Sequence, residues 1–156
     1  MRWRLINYME VTKHKAWVVW YILKACRALI RRAIRHDLSK YSKYEAPHFE
    51  KALPSLRNLV YGSKEYMAAI ESLGPVLKHH YRRNSHHPEY YDGVEGMSPL
   101  DLIEMLCDWK AATKRHATGN FSESLEVNAT RFGYDGLRTH TFKSAAWEIG
   151  LLGSSK

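Results

Sequence analysis

Cysteine is scarce: the 156 residues hold two, Cys26 and Cys107. So few exclude a disulfide scaffold and a Cys-rich zinc module, and they suit a reducing compartment. Long apolar runs are missing as well. The stretch from Trp17 to Ile30 is apolar-rich but short, and Lys24 and Arg27 interrupt it. A spanning helix needs about 20 largely apolar residues. No uninterrupted apolar run ends in a small-residue cleavage site, as a signal peptide requires. The expectation is a cytoplasmic protein with no membrane partner. No phosphate loop of the form G-x-x-x-x-G-K-S/T occurs, which argues against ATP-driven chemistry. No G-x-S-x-G elbow occurs either, and Cys107 reads as a core residue rather than a nucleophile. Internal repeats, long linkers and alternating strand patterns are also absent.

What is present fits one domain spanning residues 1–156. The composition is 45% apolar and 26% charged, which excludes a disordered chain. Lys and Arg number 24 against 16 Asp and Glu, so the net charge is +8 and anionic partners are favoured.

Helical periodicity dominates and predicts an all-α bundle of six or seven helices. The first helix is expected from about Trp3 to Ile34. At 100° per residue, His14, Val18, Tyr21, Ala25 and Leu29 share an inward stripe, and Lys24, Arg27 and Arg31 share another. Pro47 predicts a boundary at Ala46, before a helix over His48–Asn58. Ser63 reads as the N-cap of a third helix. A fourth is expected from Val76 to His87, stopped by Pro88. Ser98 as N-cap, Pro99 and Asp101 open the best-defined helix, continuing to about His116 and ended by Gly119-Asn120. Two more helices are expected in the tail, split at Gly133–Gly136.

Five features concentrate imidazole and carboxylate: His14, His36-Asp37, His79-His80, His86-His87 and Asp108. These are ligand types for Mn, Fe, Co, Ni or Zn. Residues seven apart on a helix share a face, which pairs His80 with His87 or, in the other register, His79 with His86. Asp108 shares a stripe with Asp101, Met105 and Ala112. Each feature also has an ordinary structural explanation, such as a core histidine, a helix cap or a surface pair. Four separate segments each placing a ligand on an inner face favour a metal.

The order His14, His36-Asp37, Asp108 resembles the HD superfamily of metal-dependent phosphohydrolases. The string HDLSK at residues 36–40 is similar to the HD-x-x-K form found there. Residues 86–112 resemble the HD-GYP branch, but the GYP tripeptide is absent and cyclic-dinucleotide specificity does not carry over. More closely, T-x-H-K, HDLSKYS-x-x-E, HH-x-x-x-N-x-HHPEY and EM-x-x-DW are similar to a family of small bacterial and phage proteins of unassigned function. The resemblance covers about residues 12–112. It implies an all-α HD-type bundle binding one or two divalent ions. It implies His14, His36, Asp37 and Asp108 as ligands of a first ion, with His80 and His87 holding a second that Asp37 bridges.

The implied activity is hydrolysis of a nucleotide or related small phosphate ester by metal-activated water. Lys40 matches the lysine of HD-x-x-K and is expected at the substrate phosphate, with Lys78, Arg82 and Asn84 as further substrate contacts. Glu45 is a candidate general acid or base, or else an ion-pairing glutamate. Glu104 reads as a surface or supporting acid. Two other functions remain open: an HD-type di-iron oxygenase, and a basic module binding nucleic acid or protein around a structural metal. Oligomeric state stays open, and the HD resemblance makes a homodimer one option.

Overall fold

A computed structural model describes residues 2–60, 62–115 and 119–153. Among these, seven α-helices and no strands occur, so the fold is all-α. The chain falls into two compact units, Met1–His36 and Asp37–Lys156.

The first unit is one helix, α1 (Arg2–Arg35). It holds nine of the 24 basic residues and one of the 16 acidic ones, Glu10. The whole net charge of +8 therefore lies on α1, and the residues that follow are neutral in sum. His14 lies in the middle of α1 and His36 directly follows its last residue. The expected inward stripe finds no core within this unit: Val18 and Tyr21 are exposed along the helix.

The second unit contains α2 (Ala46–Arg57), α3 (Lys64–Glu71), α4 (Gly74–Tyr81), α5 (Pro99–Thr113), α6 (Phe121–Phe132) and α7 (Gly136–Glu148). Pro47 and Pro75 each occupy a first helical turn, where a missing N–H costs no hydrogen bond. Pro47 thus lets α2 begin at Ala46, the residue where a boundary was expected. Ser63 caps α3 by accepting from the Tyr66 amide at 3.1 Å. At α5, Ser98 and Asp101 form a reciprocal capping box behind Pro99. Gly133, at φ 65°, ends α6 in the left-handed conformation that favours glycine.

Two helix ends differ from expectation. α4 stops at Tyr81 rather than running to His87. The side-chain amide of Asn84 donates to the His80 carbonyl at 2.7 Å, competing with the backbone bond that would extend the helix. Asn120 does not end α5; it caps α6, accepting from the Ser122 amide at 2.9 Å. His116, the expected end of α5, lies outside the described residues.

The core of this unit sits between α5, α6 and α7. Met105, Leu106 and Trp109 of α5 pack with Phe121 and Leu125 of α6 and Phe142 and Ala146 of α7. Cys107 points away from this core and is exposed, correcting its expected burial. α5 is anchored on both sides, so its opposite edge is a rigid platform for the histidine-rich segment.

Candidate metal centre

Asp37 opens the site. It adopts a left-handed backbone, φ 56° and ψ 18°, ahead of a short 3-10 turn over Leu38–Tyr41. A non-glycine residue held there costs on the order of 1 kcal/mol, so the surrounding structure must impose it. Lys40 folds back in that turn, its amide donating to the Asp37 carbonyl at 2.9 Å and its ammonium pairing with Asp37 Oδ2.

Two imidazoles meet the other oxygen, and a third stands behind one of them. Asp37 Oδ1 lies 3.2 Å from His80 Nε2 and 3.4 Å from His86 Nε2. His80 Nε2 in turn lies 3.0 Å from His87 Nε2. Asp37, His80 and His87 each offer one ligand atom, all within 4.8 Å of one another. His86 and Asp108 likewise offer ligand atoms within 4.8 Å of each other.

Carboxylates stand behind two of these rings. Glu45 Oε2 lies 2.9 Å from His80 Nδ1, and Glu104 Oε1 lies 3.2 Å from His86 Nδ1. An ionised carboxylate only accepts, so each Nδ1 carries the proton and each Nε2 presents a lone pair. Those lone pairs face Asp37 Oδ1, itself an acceptor. Acceptors crowded together in this way call for a cation among them. Carboxylate-backed histidines are the usual support of metal-bound imidazole.

The electrostatics agree. Burial raises the Asp37 pKa, but with no ion bound, hydrogen bonds donated by protonated His80 and His86 rings, and then the Lys40 ammonium, outweigh it and hold the carboxyl far below its ordinary range; an ion would take the place of those Nε2 protons. Burial, and then the charge of His86, push His87 well below the usual histidine value. Near neutral pH the centre therefore offers an ionised carboxylate and a neutral imidazole, the protonation states that ligate metal.

Glu45 is wholly buried. Its Oε1 accepts from His79 Nδ1 at 2.7 Å, and its Oε2 also accepts from the Ser39 hydroxyl at 2.9 Å. Both of its oxygens are thus taken by hydrogen bonds, an arrangement closer to the paired glutamate than to the general acid or base that the sequence left open. Asn84 was expected at the substrate. It is instead buried, with its amide donating to Ser39 Oγ at 2.9 Å as well as to the His80 carbonyl. Both residues lock His80 against the 3-10 turn. Lys78 and Arg82 stand apart from the centre, in a neighbouring cleft.

The structure brings together Asp37, Lys40, Glu45, His80 and His87 from the sequence-derived set. Asp108 faces His86, and its negative charge acts on His87 to favour protonation. The doublets are used differently from each other. His79 turns to Glu45 while His80 turns to Asp37, whereas His86 and His87 both serve the centre. Sequence reasoning gave no role to Ser39 or Ser85. The Ser85 hydroxyl donates to Asp101 Oδ1 at 2.7 Å, fastening the His86-His87 segment to the start of α5.

Residues 4–146 match a family described as a family of unknown function, DUF5662. The chain belongs to DUF5662. No curated protein and no solved structure matches it. The DUF5662 match covers α1 from residue 4 onward, the Asp37 turn, both histidine doublets and α5–α7 up to Ala146, so every residue of the centre lies within it.

Proposed function

We propose that this DUF5662 protein is a metal-dependent phosphohydrolase of the HD type, acting on a nucleotide or related small phosphate ester. The observation that carries the reading is the convergence of His80 and His86 Nε2 on Asp37 Oδ1, with a carboxylate behind each ring. A divalent ion held there supplies Lewis acidity and a water ionised near neutral pH.

The chain's own residues have separable tasks. Asp37, His80 and His87 hold the ion, with His86 and Asp108 beside them, and the HD resemblance adds His14 and His36. Glu45 and Glu104 keep the rings in the ligating tautomer. Lys40 offsets the charge of Asp37 and offers an ammonium for the substrate phosphoryl group. Glu45 is fully buried and engaged, so in this reading it positions His80 rather than shuttling a proton.

The test is elemental analysis of the purified chain, followed by a nucleotide panel assayed for phosphate release with added Mn or Co. Stoichiometric transition metal and phosphate release are expected. A metal-free protein inert to every nucleotide, with either ion added, overturns the proposal. Oxygen uptake without phosphate release would favour a di-iron oxygenase instead.

A further inference from the structure

Beside the metal centre lies an open cleft of about 590 Å³, lined by Tyr44, Pro75, Lys78, His79, Arg82 and Arg83. Its size falls in the range of small-molecule sites. Its lining includes three cations and no carboxylate. Elsewhere in the same unit, long cationic side chains find acids: Arg131 pairs with Glu89, Arg138 with Glu95 and Lys143 with Glu126. Among the described residues, Lys78, Arg82 and Arg83 pair with no carboxylate. Three like charges on one concave surface repel each other until an anion joins them.

The wall is also ordered toward an anion. Arg83 Nε donates to His79 Nε2 at 3.0 Å, and His79 Nδ1 is held in turn by Glu45 Oε1. This chain fixes the base of the guanidinium, while its terminal nitrogens make no hydrogen bond among the described residues. Tyr44 lies 4.6 Å from the His79 ring and 6.1 Å from the His48 ring, centroid to centroid, and is 48% exposed, so part of its ring remains open to a planar group. Glu45 joins cleft and centre directly, because its two oxygens hold His79 and His80 respectively.

We propose that this cleft binds a nucleoside monophosphate, its phosphate held by Lys78, Arg82 and Arg83 and its base stacked on Tyr44. The proposal takes only the choice of a nucleotide from the phosphohydrolase reading and otherwise goes beyond it: a monophosphate held here has its one phosphate in the cleft and not at Lys40. Arginine suits the phosphate because its fork reaches two oxygens at once, and lysine adds a point charge. Stacking on tyrosine tolerates any base, so the cleft selects for phosphate with an attached ring rather than for one nucleobase.

Calorimetric titration of the full chain with AMP and with inorganic phosphate, both in excess chelator, tests this without turnover. AMP is expected to bind more tightly than phosphate. Lys78→Ala and Arg82→Ala should each weaken both ligands by about fivefold or more, as loss of a charged phosphate contact does. Tyr44→Ala should weaken AMP by about fivefold or more while leaving phosphate within about twofold. Circular dichroism verifies that each variant keeps its helices. AMP binding no tighter than phosphate, or unchanged in the Lys78→Ala/Arg82→Ala double variant, overturns the proposal. Intact AMP binding with no phosphate release from any nucleotide of the metal-supplemented panel would sink the hydrolase reading and leave the cleft standing; the opposite pattern would spare the reaction and sink the cleft.

Discussion

His80 Nδ1 meets Glu45 Oε2 at 2.9 Å, across the gap between α4 and the start of α2. Both side chains are almost completely buried. A buried imidazole backed by a buried carboxylate has a fixed tautomer, and its other nitrogen is committed as an acceptor. Burial works against ionisation of Glu45, but hydrogen bonds from His79, His80 and Ser39 outweigh it and lower its pKa.

Glu45→Gln keeps the shape of this contact and removes its charge. One histidine retains an acceptor, and the other meets an amide. Metal affinity should fall by about 10–100-fold while the fold survives, since that is the usual cost of removing such a support. Metal titration with a competing chelator measures it. Glu45→Ala should also destabilise the fold by about 1–3 kcal/mol, because it strands a buried ring nitrogen. Unchanged metal affinity in Glu45→Gln would mean that His80 is not a ligand.

Asp37 and Lys40 should separate metal binding from substrate binding. Asp37→Asn tolerates the left-handed backbone and should fold normally, yet lose metal and all turnover. Asp37→Ala should likewise lose metal with its helix content largely kept. Lys40→Ala removes the ammonium from Asp37 Oδ2 but none of the ligands. It should retain metal and raise KM about tenfold, the scale of one charged phosphate contact. Metal loss in Lys40→Ala would show that the ion pair is needed to hold Asp37 in place.

The helices were legible where capping chemistry marked them. Ser63, and the Ser98-Pro99-Asp101 run, announce α3 and α5 because caps act within one turn of chain. The pairing of His80 with His87 was also anticipated, but from the wrong geometry. Seven-residue spacing on one helix suggested a shared face, whereas α4 ends at Tyr81 and the chain doubles back through residues 82–87. The cause is the Asn84 amide on the His80 carbonyl, a contact that periodicity does not encode. The partners of Glu45 and Glu104 were hidden for a related reason: they depend on which helices pack together, and only the folded unit brings residue 45 to residue 80.

The charge distribution separates two further expectations. Because α1 carries the entire +8, affinity for extended polyanions is expected from that helix more than from the unit bearing the centre, whose charges cancel outside the Lys78-Arg82-Arg83 cleft. Reversing Lys24, Arg27 and Arg31 to Glu removes six charge units, taking the chain from +8 to +2. Reversing Lys43, Lys51 and Lys64 produces the same net charge in the second unit. The α1 variant should elute from heparin at markedly lower salt than this control, since clustered cations release more counterions than scattered ones. Equal elution of the two variants would place the polyanion affinity in net charge alone.

Asp101 makes the support of the centre pH-dependent. Burial raises its pKa, but hydrogen bonds from Ser85, Ser98 and Tyr91 prevail and lower it from 3.8 to about 2. A carboxyl depressed on folding stabilises the native state fully above its unfolded pKa, and the contribution disappears as pH falls through the folded value. The stability that Asp101 supplies should therefore persist at pH 5 and above, weaken below about pH 4 and be gone near pH 2. Asp101→Asn should be less stable than the parent at pH 7, and the difference should shrink steadily between pH 4 and pH 2. Urea unfolding at each pH measures it. Because Ser85 leads directly into His86-His87, Asp101→Asn should also weaken metal binding at neutral pH, although residue 101 is not itself one of the proposed ligands. A pH-independent stability difference would show that Asp101 acts through shape alone and not through its charge.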